Sequence, residues 1–597
     1  MTDSLASWAA LAVVALALAV AVVRPGRTLA ELRESGPWLA RAAAGLAAAG
    51  VTVAAIAVAA GRYLELGAYA RTTLAGTASF VALAFVFRRL GISPRTVLER
   101  LERVRPGWVA AGVFAAAVAA GLLVLEGVPH VSDEVAYQFQ ARVHALGRLW
   151  IEAPSLPEFF EHTHTLVDGE RWYGIMNPGW SLVLAIGTVA GAPWAVAPLL
   201  AAATVFLLFA FYRRAGLDAV ESRVALLFVV VSPFFVFMSG SYMAHPASLF
   251  AFVGFCWAWI RHREDEGHGW AVAAGAFLAL GFLVRPVDAA VSALPFLVVS
   301  AWDVLRRPRR WGGLAILGLV ASTGVWATLL YNRALTGAAL EFPMTRYFDV
   351  HTPGERFGLG FGEDMGTRLH GPEWPGYAPV DAIPVSSYRI AEFLADLHAL
   401  PVVLLALVAW NLVRHRSRRS VAETALAASA AGLVLVYVLH FYHGVAYGSR
   451  HYYLAVPAVA ALVARPVVAW LRDARPGVAT LAAAGLMAAL AHTVLFAYPP
   501  LVRSYSDAYR GSSSWVREAT REAGLRDALV FVEPGGWSWK SAFPLNALPL
   551  EENDVLFARD LGPRNSELAE AYPDRVPYRL RRGDGEPVLE RLGQGER

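Results

Sequence analysis

The segment His130–Gly147 reads HVSDEVAYQFQARVHALG and follows directly on an apolar stretch, Trp108–Leu125. Two adjacent carboxylates, Asp133 and Glu134, therefore stand where the chain leaves that stretch. The periodicity predicts a helix with one apolar stripe, which is typical of a helix lying on a membrane interface. The residues of this stripe are Val135, Phe139, Val143 and Leu146.

Ser132 is the predicted N-cap of this helix and places both acids in its first turn. Successive helical residues diverge by about 100°, so the two carboxylates should point to different places and do different jobs. A competing interpretation is that acids in a first turn merely complement the helix dipole.

The composition excludes a soluble protein. Of the 597 residues, 56% are hydrophobic, and the mean hydropathy is +0.45. Apolar runs of about 20 residues recur, each long enough to cross about 30 Å of hydrocarbon. The one cysteine, Cys256, lies in such a run, so no disulfide framework or cysteine metal site is predicted. Lys540 is the only lysine, and we read the many arginines as signals of topology and not of nucleic-acid binding.

The sequence predicts an all-α polytopic membrane protein with about 14 transmembrane helices. The predicted spans are residues 8–23, 39–60, 72–87, 108–126, 194–212, 222–242, 245–260, 269–284, 287–304, 312–331, 393–413, 424–441, 451–470 and 478–497. We divide the chain into additional N-terminal helices (1–107), a membrane module (108–497) and a small α/β C-terminal domain (498–597). In that domain strands are predicted near 529–532, 555–558 and 576–580, and a helix near 565–572.

Arginines crowd the loops on one side of these spans, and by the positive-inside rule that side is cytoplasmic. The arginine-rich segments are 24–41, 88–105, 213–223, 261–263, 306–310, 414–419 and 465–475. The segments 128–193, 333–391 and 498–597 then face outward from a plasma (inner) membrane. This topology requires that the apolar segment Pro178–Gly191 does not cross, so we interpret it as a re-entrant or surface-lying helix.

The outward side combines the acid pair with the cations Arg285, Arg346 and Arg450. Arginine suits a phosphate because its planar fork donates two parallel hydrogen bonds and stays charged. An acid that can act on one reactant, together with arginines that can bind a phosphate, indicates a transferase with a phosphate leaving group.

Three features carry a resemblance to a known family: the acid pair opening the first large outer loop, the apolar half-helix with Pro178 later in that loop, and the outward-facing tail. Over roughly 108–470 the chain resembles the C-type (GT-C) glycosyltransferases, and is similar to the protein O-mannosyltransferases and lipid A aminoarabinose transferases. The resemblance implies transfer of a sugar, with inversion, from a polyprenyl-phosphate donor to a glycan, lipid or protein acceptor. It also implies that Asp133 is the general base or acceptor-orienting acid, with Glu134 beside it.

Asn177-Pro178-Gly179 stands where those families often have a basic residue and two prolines. We therefore choose the residues that bind the donor phosphate by their predicted topology and their charge. The candidates for it are Arg285, Arg450, His451 and Arg346, and the residues expected to contact substrate are Tyr137, His245 and Asn177.

No cofactor is assigned with certainty. His130, His162 and His164, together with the acid pair, offer donors for a divalent cation, but their spacing matches no recognised ligand motif. Three other functions stay open: a transporter or flippase of lipid-linked glycans, a polymerase or ligase using loop 333–391, and a non-catalytic scaffold in which Asp133→Asn is harmless.

Overall fold

The computed structural model describes residues 36–366, 374–534, 538–583 and 586–593, so the predicted span 8–23 lies outside the described residues. The helices up to residue 336 are α1 (Gly36–Ala59), α2 (Leu66–Arg89), α3 (Pro94–Arg103), α4 (Pro106–Ala119), α5 (Ser132–Ala145), α6 (Pro178–Val189), α7 (Val196–Arg214), α8 (Ala219–Val231), α9 (Pro233–Gly240), α10 (His245–Asp265), α11 (His268–Val284), α12 (Pro286–Arg306) and α13 (Trp311–Thr336). Those that follow are α14 (Pro343–His351), α15 (Ala382–His398), α16 (Pro401–Arg414), α17 (Val421–Tyr437), α18 (Val456–Leu471), α19 (Pro476–His492), α20 (Tyr498–Ser506), α21 (Trp515–Glu522), α22 (Ser538–Ala542) and α23 (Asn565–Ala571).

Eight helices of the described chain are long and apolar enough to cross a membrane, or ten if two bent pairs each count as one span. The bent pairs are α8 with α9, at 57°, and α15 with α16, at 98°. The apolar helices α6, α11 and α17 are shorter. A largely helical, multi-pass membrane protein is therefore confirmed, whereas the number 14 stays a prediction.

The predicted span 393–413 is broken. Helix α15 ends at His398, Ala399 adopts a left-handed backbone with φ of 55°, and Pro401 begins α16. A proline lacks the backbone N–H that would continue the helix, so the chain turns here instead of crossing as one straight rod. Arg389 on α15 is fully buried and donates to the carbonyl oxygens of His443 and Tyr442.

The start of α5 differs from the prediction. The helix begins at Ser132, so this residue is the first helical residue and not the N-cap. The Glu134 carboxylate caps the helix instead, because it accepts the backbone N–H groups of His130 and Val131 at 2.8 and 3.0 Å. Capping therefore comes from the third helical residue reaching back, which leaves Asp133 free for another contact.

Helix α5 also does not lie on a membrane interface. Val135, Phe139 and Val143 are buried in a core that they share with the C-terminal sheet. The Phe139 ring lies 4.6 Å from Trp172 and 5.8 Å from Phe543, measured between ring centroids. Three of the four residues of the apolar stripe are therefore covered by protein, whereas the fourth, Leu146, is 44% exposed.

Helix α6 is the half-helix expected in the first outer loop. Its 12 residues span about 18 Å, which is too short to cross the hydrocarbon. A Cβ at Gly179 would lie 2.6 Å from the carbonyl carbon of Leu283, so glycine permits close packing against α11. The indole N–H of Trp180 donates to the Tyr242 carbonyl at 2.7 Å. Helix α6 is thus fixed beside the end of α11.

The C-terminal region forms a four-stranded sheet in the order β5-β4-β6-β7. Its strands are β4 (Ala528–Val532), β5 (Val555–Arg559), β6 (Val576–Gly583) and β7 (Glu586–Arg591). Strand β4 is parallel to β5 and β6, and β7 is antiparallel to β6. The predicted strands and helix are confirmed here, whereas β7 was not predicted. A smaller antiparallel sheet, β1 (Ile151–Glu152), β2 (Thr165–Asp168) and β3 (Arg171–Gly174), lies between α5 and α6.

Candidate active site

Asp133 forms an ion pair at the start of α5. Its Oδ2 accepts a hydrogen bond of 2.7 Å from Nη1 of Arg450, and its Oδ1 lies 3.1 Å from Nδ1 of His164. The Asp133 side chain keeps 18% of its surface exposed. Arg450 opens the 3₁₀ turn Arg450–Ala455 ahead of α18, and His164 directly precedes β2. The site thus joins segments that are far apart in the sequence.

The surroundings of Asp133 favour its charged form. Burial by itself would raise the pKa of this carboxyl group, but Arg450, then His164 and His245, outweigh burial and hold the pKa below its ordinary value. Asp133 is therefore ionised near neutral pH, and it can accept a hydrogen bond from a bound hydroxyl.

A second arginine belongs to the same cluster. Arg285 donates from Nε to Oδ2 of Asp288 at 2.5 Å, and from Nη2 to the Tyr437 hydroxyl at 3.1 Å. The Tyr437 hydroxyl donates in turn to Asp288. The Tyr437 ring stacks on His451 at 4.3 Å between centroids. The start of α12, the end of α17 and the Arg450 turn therefore meet.

Two buried histidines in this region have no hydrogen-bond partner among the described residues. Neither ring nitrogen of His245 or His451 is bonded, although the residues are only 1% and 8% exposed. His245 begins α10, and its ring lies 6.1 Å from Tyr453 between centroids. Buried polar atoms normally have a protein or water partner. These nitrogens can therefore serve the oxygens of a bound phosphate or sugar.

Glu134 is surrounded differently from Asp133. It is fully buried and accepts four hydrogen bonds. Two come from the backbone at the start of α5, one from the backbone N–H of Tyr242 at 2.8 Å and one from the Tyr447 hydroxyl at 2.9 Å. A carboxylate has about four lone-pair sites, so little capacity remains for a substrate. We therefore interpret Glu134 as the group that holds the site together.

The other predicted residues are distributed around this cluster. Tyr137 is buried one turn after Asp133, and burial, followed by the charge of Asp133, raises the pKa of its phenol. Asn177 is half-buried at the start of α6. Arg346 donates two hydrogen bonds to Asp168, at 2.9 and 3.0 Å, so its fork is already occupied by a carboxylate. Its predicted role at the donor phosphate stays a prediction.

Two of the histidines proposed as cation ligands, His130 and His162, have ring nitrogens within hydrogen-bond distance of backbone carbonyl oxygens. The two ring nitrogens of His130 lie 2.9 and 3.0 Å from the carbonyl oxygens of Tyr509 and Leu125. The Nδ1 atom of His162 lies 2.7 Å from the Thr163 carbonyl. In the part of the chain that the structure describes, no group of three or more His, Cys, Asp or Glu residues could hold a metal ion.

Sequence reasoning missed His164, Asp288 and Tyr437 as members of this cluster. His164 was considered only as a cation ligand, and it has a left-handed backbone with φ of 69°. Asp288 follows Arg285 by three residues, a spacing that places two side chains on one helix face and would have identified the pair. Tyr437 lies 149 residues from Asp288, and no local pattern connects them.

Lys540 connects the C-terminal domain to the segment before α5. Its ammonium donates to the carbonyl oxygens of His130 and Arg510, at 2.6 and 3.2 Å. Only 6% of the residue is exposed. Burial, despite attraction by Glu134, lowers the pKa of Lys540 to about 7. The only lysine of the chain thus forms a buried contact between the C-terminal domain and the segment before α5.

We expect the stability that Lys540 contributes to rise with pH. An unfolded lysine has its pKa near 10.5, so between about pH 7 and pH 10.5 the unfolded chain binds more protons than the folded chain. The stability of the native protein relative to Lys540→Met should therefore increase by about 1.4 kcal/mol per pH unit in this window. Thermal unfolding of both proteins in one detergent at pH 6.5 and pH 9 measures it. A difference that stays constant with pH contradicts the assignment.

No protein-family model matches the chain, and no match to a curated protein is found. Several solved structures are similar. ArnT from Cupriavidus metallidurans, bound to undecaprenyl phosphate, is 11% identical over 82% of this chain and 98% of its own, with a TM-score of 0.49. The oligosaccharyltransferase AglB from Archaeoglobus fulgidus, in complex with an inhibitory peptide and a dolichol-phosphate, is 13% identical over 79% of this chain and 68% of its own, with a TM-score of 0.43. The arabinofuranosyltransferase AftD from Mycobacteria is 16% identical over 81% of this chain and 35% of its own, with a TM-score of 0.38. At these levels the likenesses assign no reaction, substrate or partner to this chain.

Proposed function

We propose that this protein is a GT-C-type inverting glycosyltransferase. It moves a sugar from a polyprenyl-phosphate donor to an acceptor hydroxyl at the outer face of the plasma membrane. The observation that carries the proposal is the ion pair of Asp133 with Arg450, beside Arg285, where several membrane helices begin or end. A partly exposed acid and two arginines are what an acceptor hydroxyl and a departing phosphate require.

The donor phosphate is proposed to lie against Arg450 and Arg285. Each guanidinium group already donates to a carboxylate, Arg450 to Asp133 and Arg285 to Asp288, and its remaining N–H groups are the ones proposed to face the phosphate oxygens. The unpartnered nitrogens of His245 and His451 supply further contacts. Both arginines are mostly buried, with side chains 10% and 18% exposed. Stabilisation of the developing phosphate charge is strong where water is scarce. The bond from the anomeric carbon to the phosphate oxygen breaks there, and the electron pair leaves with the polyprenyl phosphate.

The acceptor is proposed to bind at Asp133. Its hydroxyl oxygen attacks the anomeric carbon from the face opposite to the phosphate, and the hydroxyl proton passes to the Asp133 carboxylate. A carboxylate paired with an arginine is a weak base, because the pairing lowers its pKa. A donor phosphate that competes for Arg450 removes part of this pairing and raises the basicity of Asp133. The general base thus gains strength when the donor is present.

A transfer assay tests this proposal. Membranes containing the full chain receive radiolabelled polyprenyl-phosphate sugars, and labelled lipid, protein or polysaccharide is then measured. We expect Arg450→Gln and Arg285→Gln to lower transfer at least tenfold, mainly through a higher KM for the donor, because each removes a charged phosphate contact.

Arg62→Gln is the matched control. Arg62 is ion-paired at 3.3 Å to Asp381, and its exposed side chain belongs to no part of the proposed site. This variant should transfer at the native rate. Absence of labelled product with every such donor, or native transfer by Arg450→Gln, contradicts the proposal.

A further inference from the structure

A second arginine-lined cleft lies at the other end of the helices that form the candidate active site. Its volume is about 420 Å³. Helices α10 and α12 begin at His245 and beside Arg285, and their last turns line this cleft, about 27 Å further along at 1.5 Å per residue. The lining arginines are Arg214, Arg263, Arg306, Arg307 and Arg310. Three helices, α10, α12 and α17, therefore connect the two sites.

The cleft carries an excess of positive charge. Only two carboxylates, Asp303 and Glu264, line it among the described residues. Asp303 is shared by Arg263 at 2.6 Å and Arg310 at 3.4 Å, and Glu264 pairs with Arg214. Both acids are therefore neutralised by three of the five arginines.

Arg306 and Arg307 remain as uncompensated cations. Neither forms an ion pair within the part of the chain that the structure describes, and both are exposed. The Arg306 guanidinium lies 4.7 Å from the centroid of the Trp302 ring, a contact that leaves its hydrogen-bond donors available. A cavity with two unpaired guanidinium groups attracts an anion.

The third wall of the cleft is the start of α17. Ser420 and Glu423 cap each other, because each side chain accepts the backbone N–H of the other, at 3.1 and 2.9 Å. The N–H groups of Val421 and Ala422 belong to the first turn, which has no intrahelical acceptor, and both residues line the cleft. The start of α17 therefore brings first-turn N–H donors to the cleft that the arginines line.

We propose that this cleft binds the phosphate group of an anionic lipid headgroup. Arginine forks and first-turn N–H groups are the donors that phosphate oxygens accept. Exposed apolar side chains at and beside the lining suit the acyl chains: the lining residue Val421 is 50% exposed, and Leu305 and Trp311, which adjoin lining residues in the sequence, are 75% and 64% exposed. Basic pockets between transmembrane helices on the cytoplasmic side are a known type of lipid-headgroup site. The site is separate from the proposed transferase centre and does not depend on that activity.

A topological role alone does not account for these arginines. Arg309 serves as an internal comparison, because it lies between the lining residues in the sequence, is exposed, and forms an ion pair of 3.6 Å with Glu266 outside the cleft lining. A role in membrane topology requires only that an arginine lies in a loop on one side of the membrane. It does not require that several arginines and N–H groups line the same cleft. The convergence on one cavity distinguishes Arg306 and Arg307 from Arg309.

The test is a binding titration on the purified full chain in a neutral detergent. The probes are dioctanoyl phosphatidylglycerol, dioctanoyl phosphatidylcholine and inorganic phosphate, followed by native mass spectrometry. We expect saturable binding of phosphatidylglycerol, at least tenfold weaker binding of phosphatidylcholine, and a loss of at least tenfold in phosphatidylglycerol affinity for the double variant Arg306→Gln with Arg307→Gln.

Arg309→Gln is the matched control and should bind as the native protein does. The double variant Arg306→Lys with Arg307→Lys keeps the charge but not the fork, and should recover part of the affinity. Binding of inorganic phosphate as tight as that of the lipid supports the phosphate site and assigns it to a free anion. Equal affinities of the native protein and the glutamine double variant, or an equal loss in Arg309→Gln, overturn the proposal.

Discussion

Replacing Asp133 by asparagine is expected to lower sugar transfer by about 10²–10⁴-fold, the usual contribution of a positioned general base. The amide keeps the size of the side chain and an oxygen for Arg450, but it cannot accept the proton of the acceptor hydroxyl. Because asparagine keeps the shape of the side chain, and the carboxylate contacts Arg450 and His164 at a partly exposed site, the fold should be retained. Initial rates of transfer, measured with the same labelled donor, together with the midpoint of thermal unfolding, separate these two effects.

The matched control for this experiment is Asp381→Asn. The Asp381 side chain is 17% exposed and paired with an arginine, Arg62, so the chemical change and the exposure of the aspartate match those at Asp133. It should transfer at the native rate. Native activity in Asp133→Asn would contradict the base assignment, whereas absence of transfer by the unmodified protein as well would favour the scaffold alternative.

The part of the fold that local pattern controls could be predicted from the sequence. Apolar runs of span length, the arginine asymmetry between loops, and the short apolar runs at 529–532 and 555–558 each depend on residues close together in the chain. The non-crossing segment Pro178–Gly191 was inferred from the arginine topology and its shortness, and the 12-residue α6 agrees with that length. The resemblance to C-type glycosyltransferases also depended on such local features around Asp133.

Contacts between distant segments could not be predicted in this way. The apolar stripe of α5 has the same periodicity whether it packs on lipid or on a protein core. The structure shows that it packs in a core shared with the C-terminal sheet. The partner of Asp133 lies 317 residues away at Arg450, and several arginines predicted to face outward were equally suitable by charge. Apolar helices carry little pattern that specifies their neighbours, so the residues that converge on a site must be seen in three dimensions.

The two acids of the pair differ most in what their removal should do to the fold. Glu134 accepts N–H groups at the start of α5, the N–H of Tyr242 in the turn before α10, and the hydroxyl of Tyr447 next to the Arg450 turn. It therefore ties together the three segments that carry Asp133, His245 and Arg450. A buried carboxylate in this position stabilises the arrangement through charge-assisted hydrogen bonds.

Glu134→Gln is therefore expected to destabilise the protein by about 3 kcal/mol, and Glu134→Ala by more. In the glutamine variant one carboxylate oxygen becomes an NH₂ group, which faces a buried donor such as the Tyr242 N–H instead of accepting from it. In the alanine variant four donors lose their acceptor, each at a cost of about 1–3 kcal/mol. Thermal unfolding midpoints and transfer rates, measured on the same preparations, should fall together. A Glu134→Gln protein with native stability and abolished transfer would instead make Glu134 a catalytic acid and reverse the roles assigned to the pair.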